Sequence, residues 1–236
     1  MNRMILILSA ASLFACGGST LSLSTHTGPP SAATAFSPSR ALTLSNGIVL
    51  TRVRVVVSEV TLEPADTTAT VSVPGSVDAK VEGEDEIEAG PFLLDLAGAT
   101  LDGGAVQKLS DASFKAGTYH EIKFKIHKPE GSENGVAGNA AVKEMADMKA
   151  SVIVDGTIGT ATFTFISALE AQQKSEGTFD LKSGSNVTLN VDETTWFGSG
   201  TALLDPRNEA NRSQIESNIR ASFRAFKDDG RKGHSD

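Results

Sequence analysis

The sequence predicts a mainly β protein: an antiparallel β-sandwich with one C-terminal amphipathic α-helix. Three observations carry that expectation. Short segments rich in Val, Ile and Thr alternate apolar and polar side chains with period two. Gly-containing turns such as Asn46-Gly47 and Asp155-Gly156 connect them over short spans. Only residues 206–226 carry a sustained helical stripe.

The first clear strand pair is ALTLSNGIVLTRVRVVVSEVTLEP, with a turn at Asn46-Gly47 and a stop at Pro64. In its long arm Val49, Thr51, Val53, Val55 and Val57 share one face, and Leu50, Arg52, Arg54, Val56 and Ser58 the other. Residues 71–88 mix Gly, Pro and acid and predict a surface loop or weak edge hairpin. PFLLDLAG reads as a buried strand. In AGTYHEIKFKIHKPE, His120, Ile122, Phe124 and Ile126 form the expected core face, opposite Tyr119, Glu121, Lys123, Lys125 and His127. The connection 128–149 holds a helical turn in AAVKEMADMK. SVIVDGTIGTATFTFIS predicts two strands joined near Asp155-Gly156. Residues 176–181 and 186–191 predict a further hairpin through Lys182-Ser183-Gly184-Ser185, and Trp196-Phe197 closes the β region. For the helix, Asp205 suits the cap and Pro206 the first turn, with Ile215, Ile219, Phe223 and Phe226 as its apolar stripe. Such a helix packs on the sheet or covers an open edge. Residues 227–236 read as a polar tail.

Ahead of this domain stands a targeting pattern. Met1-Asn2-Arg3 is a short positive start, and residues 4–15 (MILILSAASLFA) carry no charge. A dozen residues fall short of the ~20 needed to span a bilayer. The run ends Leu13-Phe14-Ala15-Cys16 and continues Gly17-Gly18-Ser19. This resembles a bacterial lipobox, although Phe14 is bulkier than the residue usual there. The resemblance implies a signal peptide over 1–15, cleavage after Ala15, and a diacylglyceryl thioether on Cys16. Several acyl chains on one cysteine anchor durably, since each buried methylene contributes about 0.8 kcal/mol. Residues 16–40 are expected to be the lipidated cysteine and a disordered Ser/Thr/Gly/Pro tether with a span of roughly 25–30 Å. The folded domain is expected over 41–226.

Charge and cysteine content narrow the classes. Arg3 is the only charged residue within 1–15, so processing leaves 20 basic against 29 acidic side chains. That balance lacks the basic footprint of a nucleic-acid binder. The chain has one Cys, which the lipid would occupy, leaving no thiol for a disulfide, a nucleophile or a metal. Stability must then come from a packed core.

Taken together, ALTLSNGIVLTRVRVVVSEVTLE, GPFLLDLAG, KAGTYHEIKFKI and NVTLNVDETTWF resemble uncharacterised bacterial lipoproteins with a transthyretin- or immunoglobulin-like β-sandwich domain. The resemblance covers most of residues 41–200 and implies a fold without catalytic residues to carry over. Surface fimbrial subunits share a lipobox with such sandwiches, but no donor strand is evident here.

Candidate chemistry is sparse. His26 falls in the expected tether, His234 in the tail, and His120 and His127 lie seven apart on opposite faces of one strand. No GxSxG, HExxH or phosphate-binding loop is present. Met145 and Met148, with Asp147 between them and His127 upstream, could hold copper. The acidic run 82–88 and Asp228-Asp229-Gly230 could attract calcium, though neither has the alternating ligand spacing of an EF-type loop. Trp196-Phe197 could bind sugar or pack in the core. The expectation is therefore a lipid-anchored cell-envelope β-sandwich with a non-enzymatic structural or interaction role and no cofactor. Its partners would be the membrane, through Cys16, and an envelope protein. Gly17 in place of an Asp after the cysteine leans the location to the outer membrane. The alternative is an envelope lipoprotein binding a small ligand, carbohydrate or metal.

Overall fold

A computed structural model describes residues 19–28, 41–65, 91–101, 106–133 and 136–236. The signal segment 1–15, Cys16 and the acidic run 82–88 lie outside the described residues. In chain order the strands are β1 (Ser19–Thr27), β2 (Leu42–Thr43), β3 (Ile48–Pro64), β4 (Phe92–Ala97), β5 (Gln107–Phe114) and β6 (Gly117–Ile126). Helix α1 (Ala140–Asp147) precedes β7 (Val152–Ile158), β8 (Ala161–Ser167), β9 (Ala171–Leu181) and β10 (Asn186–Val191). Helix α2 (Arg212–Ala221) and β11 (Phe223–Lys227) follow. Two sheets form: a smaller one ordered β11-β10-β1-β5, and a larger one ordered β8-β7-β3-β6-β9 with β2 and β4 on β3. One apolar core lies between them. Leu21, Leu23, Leu189 and Phe223 from the small sheet meet Val53, Ile122, Phe124 and Phe165 from the large one. The chain is thus mainly β and sandwich-like, with a C-terminal helix, as its patterning predicts.

Strand β3 is the spine, and its two faces do not alternate uninterrupted. Its core residues are Ile48, Leu50, Val53, Val55, Val57, Val60 and Leu62. Register shifts fall at Leu50/Arg52 and Val57/Glu59, where the inward spacing is three instead of two. Each bulge inserts one residue and restores the apolar set to the core side. The expected grouping of Val49 and Thr51 with Val53 therefore fails upstream of the first bulge. On the other face of β3, Val56 packs with Met145 of α1, Ala150 and Ile153. Asn139 caps α1, its Oδ1 accepting from Ala141 N (3.1 Å) and Val142 N (3.2 Å).

Several expectations are corrected. Residues 19–27 are part of no tether: β1 lies between β10 and β5 in the small sheet. Its apolar signal is only Leu21 and Leu23, because Ser, Thr and His fill the other positions. The turn between β7 and β8 falls at Gly159-Thr160, where Gly159 has φ +60. Gly156 instead sits within β7, and a Cβ there would lie 2.8 Å from the Phe163 ring and 2.6 Å from Val49 O. The expected hairpin 176–191 is a crossing between sheets, since β9 pairs β6 while β10 pairs β1 and β11.

The helix is shorter than its stripe. Asp205 closes a turn by accepting from Arg207 N (2.9 Å) instead of capping a helix, and α2 begins at Arg212. Ile215 and Ile219 are buried on α2, but Phe223 and Ala225 point inward from β11. Spacing of four satisfies a helix up to Phe223, while Phe-Arg-Ala-Phe-Lys also alternates, and pairing with β10 decides the contest. The helix does cover an edge: Arg212 Nη1 donates to Ile166 O (2.8 Å) and Glu216 accepts from Ser167 Oγ (2.7 Å) along β8. Among the described residues no helix is long and apolar enough to cross a membrane.

Candidate functional site: a polar seam and cleft on the small sheet

Both inner strands of the small sheet alternate in the same way. In β1, Leu21 and Leu23 face the core while Ser22, Ser24 and His26 face away. In β10, Val187, Leu189 and Val191 face the core while Asn186, Thr188 and Asn190 face away. The two strands run parallel in register, with Ser24 beside Thr188 and His26 beside Asn190. All six outward side chains are nonetheless buried. Buried polar groups cost free energy unless they are hydrogen-bonded, and here they bond to one another. Ser24 Oγ donates to Asn186 Oδ1 (2.7 Å), and Asn186 Nδ2 donates to Thr188 Oγ1 (2.9 Å) and Asp228 O (2.9 Å). Asn190 Nδ2 donates to Gly28 O (3.1 Å), which turns its Oδ1 towards His26. The imidazole therefore donates from Nδ1 across 2.7 Å.

The chain's last residues cover this seam. The fully buried Asp228 carboxylate accepts from Lys232 N (2.8 Å), Gly233 N (2.8 Å) and Thr188 Oγ1 (3.2 Å). Arg231 Nη2 donates to Ser22 Oγ (2.9 Å). Gly233, at φ +80, lies on the His26 ring so closely that a Cβ would fall 2.3 Å from Cδ2. Residues 227–236 are thus no free tail: β11 ends at Lys227, and the remainder docks on the sheet.

At the far end of β10 the seam opens into a cleft of about 210 Å³ lined by Asn190, Asp192, Thr195, Asn218, Ala221, Ser222 and Arg224. Its polar atoms are largely engaged by the protein. Arg224 Nη1 donates to Ala221 O (2.9 Å) and Phe223 O (2.7 Å), and Asn218 Nδ2 to Thr195 O (3.1 Å) and Trp196 O (3.2 Å). Asp192 accepts from Thr194 N (3.2 Å). Next to Asp192 in the chain, Glu193 is completely buried, and neither carboxyl oxygen has a hydrogen-bond partner. Burial pushes its carboxyl up to about 8, and the Asp192 charge adds to the effect. The amides of Glu193 itself and Gly28 pull the other way but lie outside hydrogen-bonding geometry. Near pH 7 this group is a neutral acid.

The residues singled out by sequence are dispersed. His26 is the one histidine drawn into the seam. His120, expected on the core face, is exposed, because a bulge at Tyr119/Glu121 turns Tyr119 inward in its place. Its Nδ1 donates to Pro64 O (2.9 Å). His127 lies 2.7 Å from Glu133. Met145 is buried among Val56, Ala150 and Ile153, whereas Met148 is 38% exposed, so the two thioethers do not converge. Asp228 and Asp229 face protein donors: Asp229 accepts from Asn186 N (3.0 Å) and pairs with Lys227 (2.7 Å). Trp196 is core, its Nε1 donating to Ser222 Oγ (2.7 Å) and its ring against Phe223. Phe197 packs edge-on to Phe163 and Phe165. No composition signal marks Asn190 and Asn218 as lining one cleft, because the topology alone brings them together.

The fold and this seam define a two-sheet β-sandwich whose outer polar face is closed by its own C-terminus. No family model matches the chain, and no curated protein matches it. Among solved structures the chain is similar to MbnP from Methylosinus trichosporium, with a TM-score of 0.39 and 11% identity over 76% of this chain and 78% of that one.

Proposed function

We propose that this protein is a lipid-anchored β-sandwich of the bacterial cell envelope, held at the membrane through Cys16, with a non-enzymatic structural or interaction role. One observation carries the reading. The only cysteine ends a short uncharged run and is followed, after two glycines, by the strand at the interior of the small sheet. A non-catalytic role is supported by the way the polar groups are used, since the seam and cleft bond mainly to the protein itself. Partners in this reading are the membrane and an envelope protein, and Gly17 after the cysteine favours the outer membrane.

Fractionation of cells producing the native chain and Cys16→Ser tests it. The native protein is expected with the membranes, released only by detergent, and the variant in the soluble fraction. A variant that remains with the membranes overturns the anchor. A second reading, an envelope protein that binds a small polar ligand, rests on the exposed Arg224 and the Asp192 carboxylate in one cleft. A ligand retained stoichiometrically by the purified protein, and lost in Arg224→Ala, would favour it.

A further inference from the structure

We infer that the sandwich stands directly on the lipid headgroups on its Ser19 end and carries the cleft away from the membrane. The inference rests on the lipid anchor proposed above and specifies which surface that anchor brings to the bilayer. Three Cα–Cα steps separate Cys16 from Ser19, a reach of at most about 11 Å. The headgroup layer of one leaflet is itself roughly 5–8 Å deep. An anchored Ser19 therefore lies within or just above the headgroups, and a stand-off of the size a 24-residue tether would give is impossible.

The start of β1 is built into one end of the domain. Ser19 pairs with Phe114, Thr20 N donates to Ser183 Oγ (3.4 Å), and Gly184 N donates to Thr20 O (2.8 Å). From Ser19, β1 runs about 26 Å to Thr27. The parallel register places Thr27 beside Val191, so Asp192 and the cleft lie at the opposite end.

The processed chain has no other cysteine, so an introduced one takes a dye uniquely. Ser183→Cys and Thr195→Cys, made in the full lipidated chain, are labelled with a donor and reconstituted into phospholipid vesicles bearing an acceptor on their headgroups. Energy transfer is expected to be at least twofold stronger from position 183 than from 195. Twenty Gly/Ser residues inserted between Gly18 and Ser19 should erase the difference. Equal transfer from the two sites, or a difference that survives the insertion, overturns the seating. Mass spectrometry of the same samples separates the two claims. An unmodified Cys16 sinks both, whereas a lipidated Cys16 with equal transfer sinks only the seating.

Discussion

His26 and Gly233 show how single residues set the small sheet. The ring and the glycine are 207 positions apart in sequence, yet Gly233 rests on the imidazole in a left-handed conformation. Gly233→Ala is therefore expected to cost about 1–3 kcal/mol, from strain at φ +80 and the clash with the ring. Urea denaturation checks this, and an unchanged midpoint would refute the contact. Glu193 gives a pH dependence. An ordinary glutamate ionises near 4.5 in the unfolded chain, whereas this one keeps its proton to about 8 in the fold. Between those values the folded state binds a proton that the unfolded state has lost, so stability falls as pH rises from 4.5 towards 8. Glu193→Gln should flatten that slope, and thermal melts at pH 5 and pH 8 would show it. Neither residue was legible as important in the sequence. His26 sits in a Ser/Thr stretch without an apolar pattern, and nothing in Asp192-Glu193-Thr194 announces complete burial.

At the scale of elements, alternation located the strands well where one face is apolar throughout, and lost the phase where bulges intervene. Strand β3 switches twice and β6 once, and the latter switch exchanged Tyr119 for His120 at the core. A bulge is a property of pairing, which one strand's sequence does not contain. The α2–β11 boundary was hidden for a related reason, since Phe223 fits both periods. Helix α1 is short, with only Val142 and Met145 fully buried, and so depends on its cap. Asn139→Ala should destabilise the protein by about 1 kcal/mol. Hydrogen exchange in residues 140–147 should rise with it, and unchanged protection there would show that packing alone holds the helix.

Across the whole molecule, the ends of the described chain meet: β1 joins β10 in parallel, and the C-terminal segment covers their shared polar face. Polarity on both flanks points to a domain limited to 41–226, yet in residues 19–27 and 228–236 that polarity belongs to a buried hydrogen-bonded seam. Ending the chain after Lys227 removes one hydrogen bond each from Thr188 Oγ1, Asn186 N, Asn186 Nδ2 and Ser22 Oγ, and uncovers His26. A loss of roughly 3 kcal/mol or more is expected, since several hydrogen bonds, each worth about 0.5–1.5 kcal/mol net, are lost together with the cover. An unfolding midpoint equal to that of the full chain would contradict the cover. The same integration of β1 leaves only Gly17 and Gly18 between the proposed anchor, Cys16, and the first strand of the small sheet. The measurement that tests this most directly is mass spectrometry of the N-terminal peptide from membrane-purified protein. The account predicts a chain beginning at Cys16 and carrying a diacylglyceryl group on its sulfur; a free thiol at Cys16, or an intact segment 1–15, would contradict it.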